Sequence, residues 1–231
     1  NPATNNGIKI TSIQDIVEVL VENNDISESN EGIEVWNTPT SIPVLISGGT
    51  ITNATTGIFV NNFEGYNSNG GNVNVSISGV TINGGGTGTH GVRVYDNPVN
   101  AGASVFNVEV TGNTAITGYA NGISVQGEDA NINIHDNLSS ISSNVNGIVV
   151  DGGNAIIVNN TISSNTGNGI EFKNDGTGYA HYNNITSNGS GITNNNASGE
   201  IDGTLNWWGS ADGPSTVGLG TGDNVSENVL Y

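Results

Sequence analysis

Several aromatic side chains and a single arginine lie at comparable places in the repeats of this chain, and together they could bind a carbohydrate. Aromatic faces pack against the C–H faces of pyranose rings, while carboxylate and guanidinium groups hydrogen-bond to sugar hydroxyls. The candidates are Trp36, Phe59, Tyr66, Arg93 and Tyr95. The alternative, which we favour, is that these rings shield strand edges and pack loops against the body of the protein.

Acidic corners form a second candidate site. Asp129, Asp151 and Asp175 lie in the polar segments GEDAN, DGGN and NDGTG of successive repeats. Calcium takes about six to eight oxygen ligands, and clustered carboxylates can also hydrolyse glycosidic bonds. The chain contains no repeated GGxGxDxU nonapeptide, the motif of a calcium-binding β-roll. We favour the interpretation that these acids lie in solvated turns. The sequence therefore predicts no cofactor, with weak calcium binding at these three residues as the alternative.

Basic residues are scarce and dispersed. Arg93 is the only arginine, and Lys9 and Lys173 are the only lysines. A lyase or epimerase needs a group that neutralises the substrate carboxylate and a base that removes the C5 proton. Each lysine is predicted to lie three rungs from Arg93, ~14 Å away, which is too far for one sugar ring. We therefore predict no catalytic residue and no enzymatic activity, with a polysaccharide lyase or glycoside hydrolase as the alternative.

Asparagine followed two residues later by serine or threonine marks acceptors for N-glycosylation. In a protein exported by an organism that glycosylates its surface proteins, the asparagines at corners are candidates, and any that is turned inward is excluded. The candidates are Asn53, Asn74, Asn137, Asn159, Asn184, Asn188, Asn196 and Asn224.

The elements that position these residues belong to a repeat. A glycine followed by isoleucine or valine opens each unit, at Gly7, Gly32, Gly57, Gly91, Gly122, Gly147, Gly169 and Gly191. Residues two apart after each glycine are apolar until the last unit, and period two predicts a strand. Units of this kind stack because none can bury its apolar face alone.

Each unit continues with a second alternating segment and then one more inward aliphatic residue, which predicts three short strands per coil. The third residue is Ile26, Ile51, Ile82, Ile116, Ile141, Ile162 or Ile185. Corners rich in Asn, Gly, Asp and Ser tolerate the required turns. Asparagines at equivalent corners, such as Asn160 and Asn183, are predicted to form amide ladders along the axis. The predicted fold is an all-β parallel β-helix, or β-solenoid, of about eight coils and about 40 Å in length.

Composition excludes several classes of protein. The 231 residues carry three basic and twenty-one acidic side chains, a net charge of −18. This makes nucleic acid a poor partner, because phosphate binding needs clustered lysine and arginine. No apolar run is long enough to predict a membrane span. Self-repulsion on this scale keeps a secreted protein in solution, and the absence of cysteine excludes disulfides and metal–thiolate sites.

The end of the chain predicts a cap. Asn206, Trp207, Trp208 and Gly209 follow the last coil, and Pro214 lies a few residues beyond them. Two indoles where a strand would continue indicate a lid, and glycine and proline indicate a turn away from the stack. The predicted organisation is a lead-in at residues 1–6, the β-helix at residues 7–205 and a cap and tail at residues 206–231.

These motifs resemble the right-handed parallel β-helix repeat proteins of the pectate-lyase-like superfamily found on bacterial and archaeal cell surfaces. In that group an NWWG or NYWG motif followed by GP commonly closes the stack, and the stretch GDNVSENVLY ending at Tyr231 is similar to its GDxVSxNVxY stretch. The resemblance covers Gly7 to Trp208 and implies the right-handed coil. It also implies that a carbohydrate substrate, where there is one, lies along one sheet face between the longest loops, here at residues 61–72 and 95–103.

The leading hypothesis is a noncatalytic extracellular protein: a cell-surface, sheath or filament subunit, or an adhesin segment, that self-associates end to end or binds other cell-surface proteins. The tail after Pro214 would then add a strand to the next molecule, with Tyr231 at its end. The alternative is a β-helix that binds or processes polysaccharide through Trp36, Phe59, Arg93 and Tyr95.

Overall fold

The coils of the repeat stack into a parallel β-helix in a computed structural model, which describes residues 5–11, 17–36, 38, 41–62, 72–97, 104–139 and 141–231. Every strand pair in these ranges is parallel, and no helix occurs there. Accordingly, nothing in the described part of the chain has the length and apolar character of a membrane-crossing helix. The all-β solenoid predicted from the repeat is confirmed. The right-handedness of its coil stays a prediction from the resemblance.

The first face contains the Gly-Ile and Gly-Val strands. Its members, in sheet order, are β1 (Ile8–Thr11), β4 (Glu31–Trp36), β7 (Thr56–Asn61), β9 (Thr81–Tyr95), β11 (Ala115–Gln126), β14 (Asn146–Asp151), β17 (Asn168–Lys173), β20 (Ser190–Asn194), β23 (Gly222–Val225) and β22 (Pro214–Thr216). β9 and β11 are long because each begins on the third face and continues around the corner onto the first. At these two corners the predicted pair of short strands is one continuous strand.

The second face contains nine strands and the third a shorter set. The second face is β2 (Val19–Glu22), β5 (Val44–Ser47), β8 (Val73–Ser78), β10 (Phe106–Thr111), β12 (Asn131–His135), β15 (Asn154–Val158), β18 (Thr177–His181), β21 (Ile201–Asp202) and β24 (Val229–Leu230). Besides the beginnings of β9 and β11, the third face is β3 (Asp25–Ser27), β6 (Thr50–Thr52), β13 (Ile141–Ser142), β16 (Thr161–Ser163) and β19 (Asn184–Thr186).

Aliphatic side chains at equivalent positions stack along the axis and form the core. The first-face stack runs through Ile8, Ile33, Ile58, Val92, Ile123, Ile148, Ile170 and Ile192. The third-face stack runs from Ile26 through Ile82 to Ile185, as predicted. Nearly all of these side chains are buried, so coil after coil repeats the same apolar contacts.

Close packing at one corner explains the repeated glycine. A Cβ atom at Gly147 would lie 2.5 Å from the carbonyl oxygen of Gly169 on the next rung and 2.9 Å from Cγ2 of Ile162. Gly91 has the same surroundings, with 2.5 Å to the oxygen of Gly122. Any larger residue would push adjacent rungs apart, because these neighbours are backbone and core.

Two buried asparagine ladders bind the rungs together. In the first ladder, each side-chain amide donates to the side-chain oxygen of the next rung, through Asn113, Asn137, Asn160, Asn183 and Asn206. The Nδ2 atom of Asn160 lies 3.0 Å from Oδ1 of Asn183, which confirms the predicted ladder. The second ladder runs through Asn144, Asn165 and Asn188 to Asp223. These amides satisfy turn backbone groups that the strands leave unpaired.

The tail returns to the stack after the cap. β23 pairs with β20 through Ile192 and Val225, and β24 pairs with β21 through Ile201 and Val229. Both valines are buried, so residues 222–230 supply a ninth rung to two faces. The predicted turn away from the stack is wrong, because the strands of the tail pair within the chain. Addition of the tail to a neighbouring molecule stays a prediction.

Candidate functional site

Two of the predicted carbohydrate residues, Phe59 and Tyr95, lie on the outer surface of the first face, and their rings contact Arg93. The Arg93 guanidinium lies 5.0 Å from the ring centroid of Phe59 on the preceding rung and 4.7 Å from that of Tyr95. Its Nε donates to Oε1 of Gln126 at 2.7 Å. Burial lowers the pKa of Arg93, while the charges of Tyr95 and Glu31 oppose the shift. The guanidinium therefore stacks and hydrogen-bonds within the protein.

Trp36 belongs to a separate cluster at the beginning of the same face. Lys9 Nζ lies 3.6 Å from the centroid of the indole and 3.3 Å from Oε2 of Glu34. The Glu34 side chain is only 5% exposed and accepts hydrogen bonds from Nε1 of Trp36 and Nδ2 of Asn6. Lys9 neutralises the buried carboxylate, and the indole of Trp36 donates a hydrogen bond to it. The cluster therefore stabilises the first two rungs.

The expanded loops fall partly outside the described residues. Tyr66 and residues 98–103 are among those not described. At the bases of the two loops, the buried Asn62 side chain donates to Oδ1 of Asp96 at 2.6 Å and to Oγ of Ser104 at 2.7 Å, and its Oδ1 accepts from the backbone N of Asn97 at 2.7 Å. This asparagine, which the sequence did not single out, joins the two loops at their bases.

His90 lies on β9, the same strand as Arg93, and is kept neutral. Burial, and secondly the charge of Arg93, lower its pKa to about 4. Its register neighbours are Thr56 and Asn121. A neutral imidazole can accept a proton, but no carboxylate hydrogen-bonds to its ring within the described residues.

The cations lie in the predicted places along the axis. In the strand register Lys9, Glu34, Phe59 and Arg93 succeed one another, so Lys9 and Arg93 are three rungs apart. Lys173 lies close to two acids, with 3.7 Å from Nζ to Glu171 and 3.9 Å to Asp151. The register therefore keeps the three basic side chains on separate rungs.

The three predicted acids lie on successive rungs, at the corner between the first and second faces. Asp151 lies near Lys173, Asp129 accepts from the backbone N of Ser104 at 3.2 Å, and the backbone N of Asp175 donates to Oδ1 of Asn196 at 2.9 Å. Across the described ranges, no group of three or more histidine or acidic residues has an arrangement that could hold a metal ion. Calcium binding at these residues stays a prediction.

A histidine–carboxylate cluster on the second face was not predicted. Nε2 of His135 lies 2.7 Å from Oε1 of Glu109, and Nδ1 lies 2.8 Å from Oδ2 of Asp136. Burial lowers the pKa of His135, but the hydrogen bonds and charges of the two acids outweigh it, so the net shift is upward. Strand pairing places Glu109 beside Asn133, which explains how this acid reaches His135. When His135 is protonated, it forms ion pairs with both acids at the surface.

The two indoles of the cap have different roles. Trp207 pairs with Asn184 of β19, and its side chain is 49% exposed. Trp208 follows in the register position of Ile185 and is buried, so it alone covers the third aliphatic stack. The prediction that both indoles form the lid is therefore wrong for Trp207. Asn206 ends the first ladder, and its Nδ2 also donates to the oxygen of Ala180 at 2.7 Å.

The remaining cap residues shape the return of the chain. Gly209 has a φ of 88°, a left-handed conformation that favours glycine. Pro214 is buried at the start of β22, and Tyr231 is 48% exposed after β24. Between β19, the cap and β23 lies a cleft of about 550 Å³, lined mainly by hydroxyl and amide groups and by Trp207.

The predicted glycosylation residues differ in exposure. Asn137 is a poor acceptor in the folded protein because it is 1% exposed and lies within the first ladder. Asn188 is half-buried, and its Nδ2 donates to Asp223. Asn53, Asn159 and Asn184 are exposed, and the half-buried candidates are Asn74, Asn196 and Asn224.

Comparison with known proteins adds no relative. No protein-family model, curated protein or solved structure matches this chain. Functional conclusions therefore rest on the residues and their geometry.

Proposed function

We propose that this protein is a noncatalytic extracellular structural component, a cell-surface, sheath or filament subunit or an adhesin segment that assembles end to end. The difference between the two ends of its core carries this proposal. Ile8, Ile10, Val19 and Ile26 of the first rung are only partly buried. At the other end, Trp208, Val225 and Val229 are between 1% and 5% exposed.

Strands β1 and β2 of the first rung are the first strands of the two sheets within the described part of the chain. Among the described residues, β1 pairs with β4 alone and β2 with β5 alone. Such an edge next to partly buried aliphatic side chains favours addition of another rung. The two ladders and the aliphatic stacks of the first and third faces make the body a stiff unit for a filament or sheath. The net charge of −18 is consistent with an extracellular protein kept in solution by self-repulsion.

Light scattering and negative-stain microscopy test end-to-end assembly. The measurements compare the wild type with two variants, each of which adds one charge to the first coil. All three proteins are measured over a range of concentrations, with and without calcium. Ile10→Glu places it in the partly buried stack, whereas Leu20→Glu places it on the outer surface, where Leu20 is 54% exposed. We expect filaments or sheets for the wild type and for Leu20→Glu, and separate rods for Ile10→Glu.

A monomeric wild-type rod under every condition would contradict end-to-end assembly. Assembly that needs calcium would instead support the predicted calcium sites. Circular dichroism of both variants checks that they keep the β-sheet signal, because a charge at a terminal rung can turn towards water without unfolding the coil.

Polysaccharide binding on the first face is the second candidate function. The observation in its favour is that Trp36 and Tyr95 lie in one outward row of this face, two rungs apart. Titration against acidic and neutral polysaccharides tests it. The double variant Trp36→Ala with Tyr95→Ala abolishes binding if these rings hold the ligand, and unchanged binding excludes this face.

A further inference from the structure

Trp207 occupies a position that the fold fills with small side chains elsewhere. The outward row to which it belongs contains, in the other described rungs, Asp25, Thr50, Thr81, Ala115, Thr161 and Asn184. None of these is aromatic. Since Trp208 already covers the core, packing does not require an indole at residue 207, and about half of this side chain is in contact with solvent.

The exposed indole forms part of the wall of the C-terminal cleft. The cleft measures about 550 Å³, within the range of small-ligand sites. The side-chain hydroxyls of Thr186, Ser187, Ser215 and Thr221 line it together with the side-chain amide of Asn184. An aromatic ring beside several hydroxyl and amide groups matches the two kinds of surface of a pyranose, its C–H face and its hydroxyls.

The charges around the cleft determine which sugars fit. Among the described residues that line the cleft, Asp223 is the only acidic or basic one. The carboxylate of Asp223 accepts hydrogen bonds from the backbone N of Ser187 and of Asn188, each at 2.8 Å, and from Nδ2 of Asn188 at 2.9 Å. With no lysine or arginine in its wall and an overall charge of −18, the cleft lacks the cation that a uronate or sulfated sugar requires.

We propose that the cleft beside Trp207 binds a neutral pyranose, as a terminal residue or short segment of a glycan. The indole stacks on the C–H face of the sugar, and the hydroxyl and amide groups of the cleft bond to its hydroxyls. This site is distinct from the first-face aromatic residues and from the open first rung. It gives the capped end of the β-helix a ligand, independently of how the other end associates.

A glycan array followed by isothermal titration calorimetry tests the site. The protein is made in a host that does not N-glycosylate, so that Asn184 in the cleft wall stays unmodified. We expect binding to neutral pyranosides and none that requires uronate or sulfate. Trp207→Thr, which restores the residue type found at Thr161, should weaken binding about tenfold or more without lowering thermal stability, because the indole is outside the core. Trp207→Phe should retain most of the affinity.

Two further variants distinguish binding in the cleft from nonspecific apolar contact and from binding on the first face. Leu138→Thr removes another exposed apolar side chain, 61% exposed and distant in sequence from the cleft, and should leave affinity unchanged. Trp36→Ala should also leave it unchanged, since that residue lies on the first face. The proposal is overturned if the wild type binds no neutral glycan, if only acidic glycans bind, or if Trp207→Thr binds as tightly as the wild type.

Discussion

Nδ2 of Asn188 lies 2.9 Å from Oδ2 of Asp223, and this hydrogen bond joins the returning tail to the asparagine ladder of the preceding rungs. The same carboxylate accepts the backbone N–H groups of Ser187 and Asn188. A carboxylate only accepts hydrogen bonds, so the ladder ends there without an unpaired amide donor. Asn206 ends the other ladder by donating to backbone carbonyls.

Removing the terminal carboxylate should destabilise the C-terminal coils. Asp223→Ala leaves three donors without their acceptor, and we expect the free energy of unfolding in urea to fall by about 2–4 kcal/mol. Asp223→Asn keeps one oxygen and should lose less. Glu227→Ala, at an exposed position of the same tail, is the control. Equal losses for Asp223→Ala and this control would show that the ladder does not depend on its last member.

Removing an amide from the middle of the first ladder should lower the free energy of unfolding more than removing an exposed amide. Asn160→Ala removes donors to the oxygens of Ile134, Val158 and Asn183, and takes the acceptor from Asn137. We expect a loss of at least about 3 kcal/mol in the free energy of unfolding, because the site is buried. Asn133→Ala, on the exposed side of β12, should stay within about 0.5 kcal/mol of the wild type. Chemical denaturation of the two variants measures the difference.

The corner glycines should not tolerate even alanine. Gly147→Ala places its methyl group 2.5 Å from the oxygen of Gly169, and separation of the rungs should cost about 2–4 kcal/mol. Gly199→Ala provides the contrast, since its Cβ would have no atom within 4 Å and only its φ of 92° is unfavourable. That strain alone should cost about 1 kcal/mol. A smaller effect at Gly147 than at Gly199 would contradict the packing of this corner.

His90 should make the fold less stable in acid. Its folded pKa of about 4 lies below the unfolded value near 6.5, so the unfolded chain binds more protons between these pH values. Stability from this group is therefore present above about pH 6.5 and lost as pH falls towards 4, by roughly 1–3 kcal/mol. The carboxylates also titrate in acid, so the quantity to measure is the difference between wild type and His90→Thr in urea unfolding at pH 7, 5.5 and 4.5.

That difference should shrink or reverse in favour of His90→Thr as the solution becomes more acidic. Thr56 occupies the equivalent position on the preceding rung, so threonine suits the backbone there. The groups facing His90 include the guanidinium of Arg93, which opposes its protonation. A difference that stays constant with pH would mean that the imidazole titrates normally in the folded protein.

Repetition in the sequence determined the stack of coils. The aliphatic residues of the Ile33 and Ile51 positions recur in every unit with period two around them, and each such residue must meet its counterpart on the next rung for the core to close. The same equivalence predicted that Asn160 contacts Asn183. These contacts are between equivalent positions of neighbouring units, so spacing along the chain is sufficient to identify them.

Contacts between unlike residues were decided only by the tertiary structure. The pairing of Arg93 with two rings, the end of a ladder at Asp223 and the exposure of Trp207 beside the buried Trp208 each depend on where a corner turns and on how far a side chain reaches. The sequence likewise did not indicate that the tail returns, because Val225 and Val229 follow a cap that interrupts the repeat. Period and spacing determine which rungs are neighbours, whereas burial in three dimensions decides which polar and aromatic groups remain for a ligand.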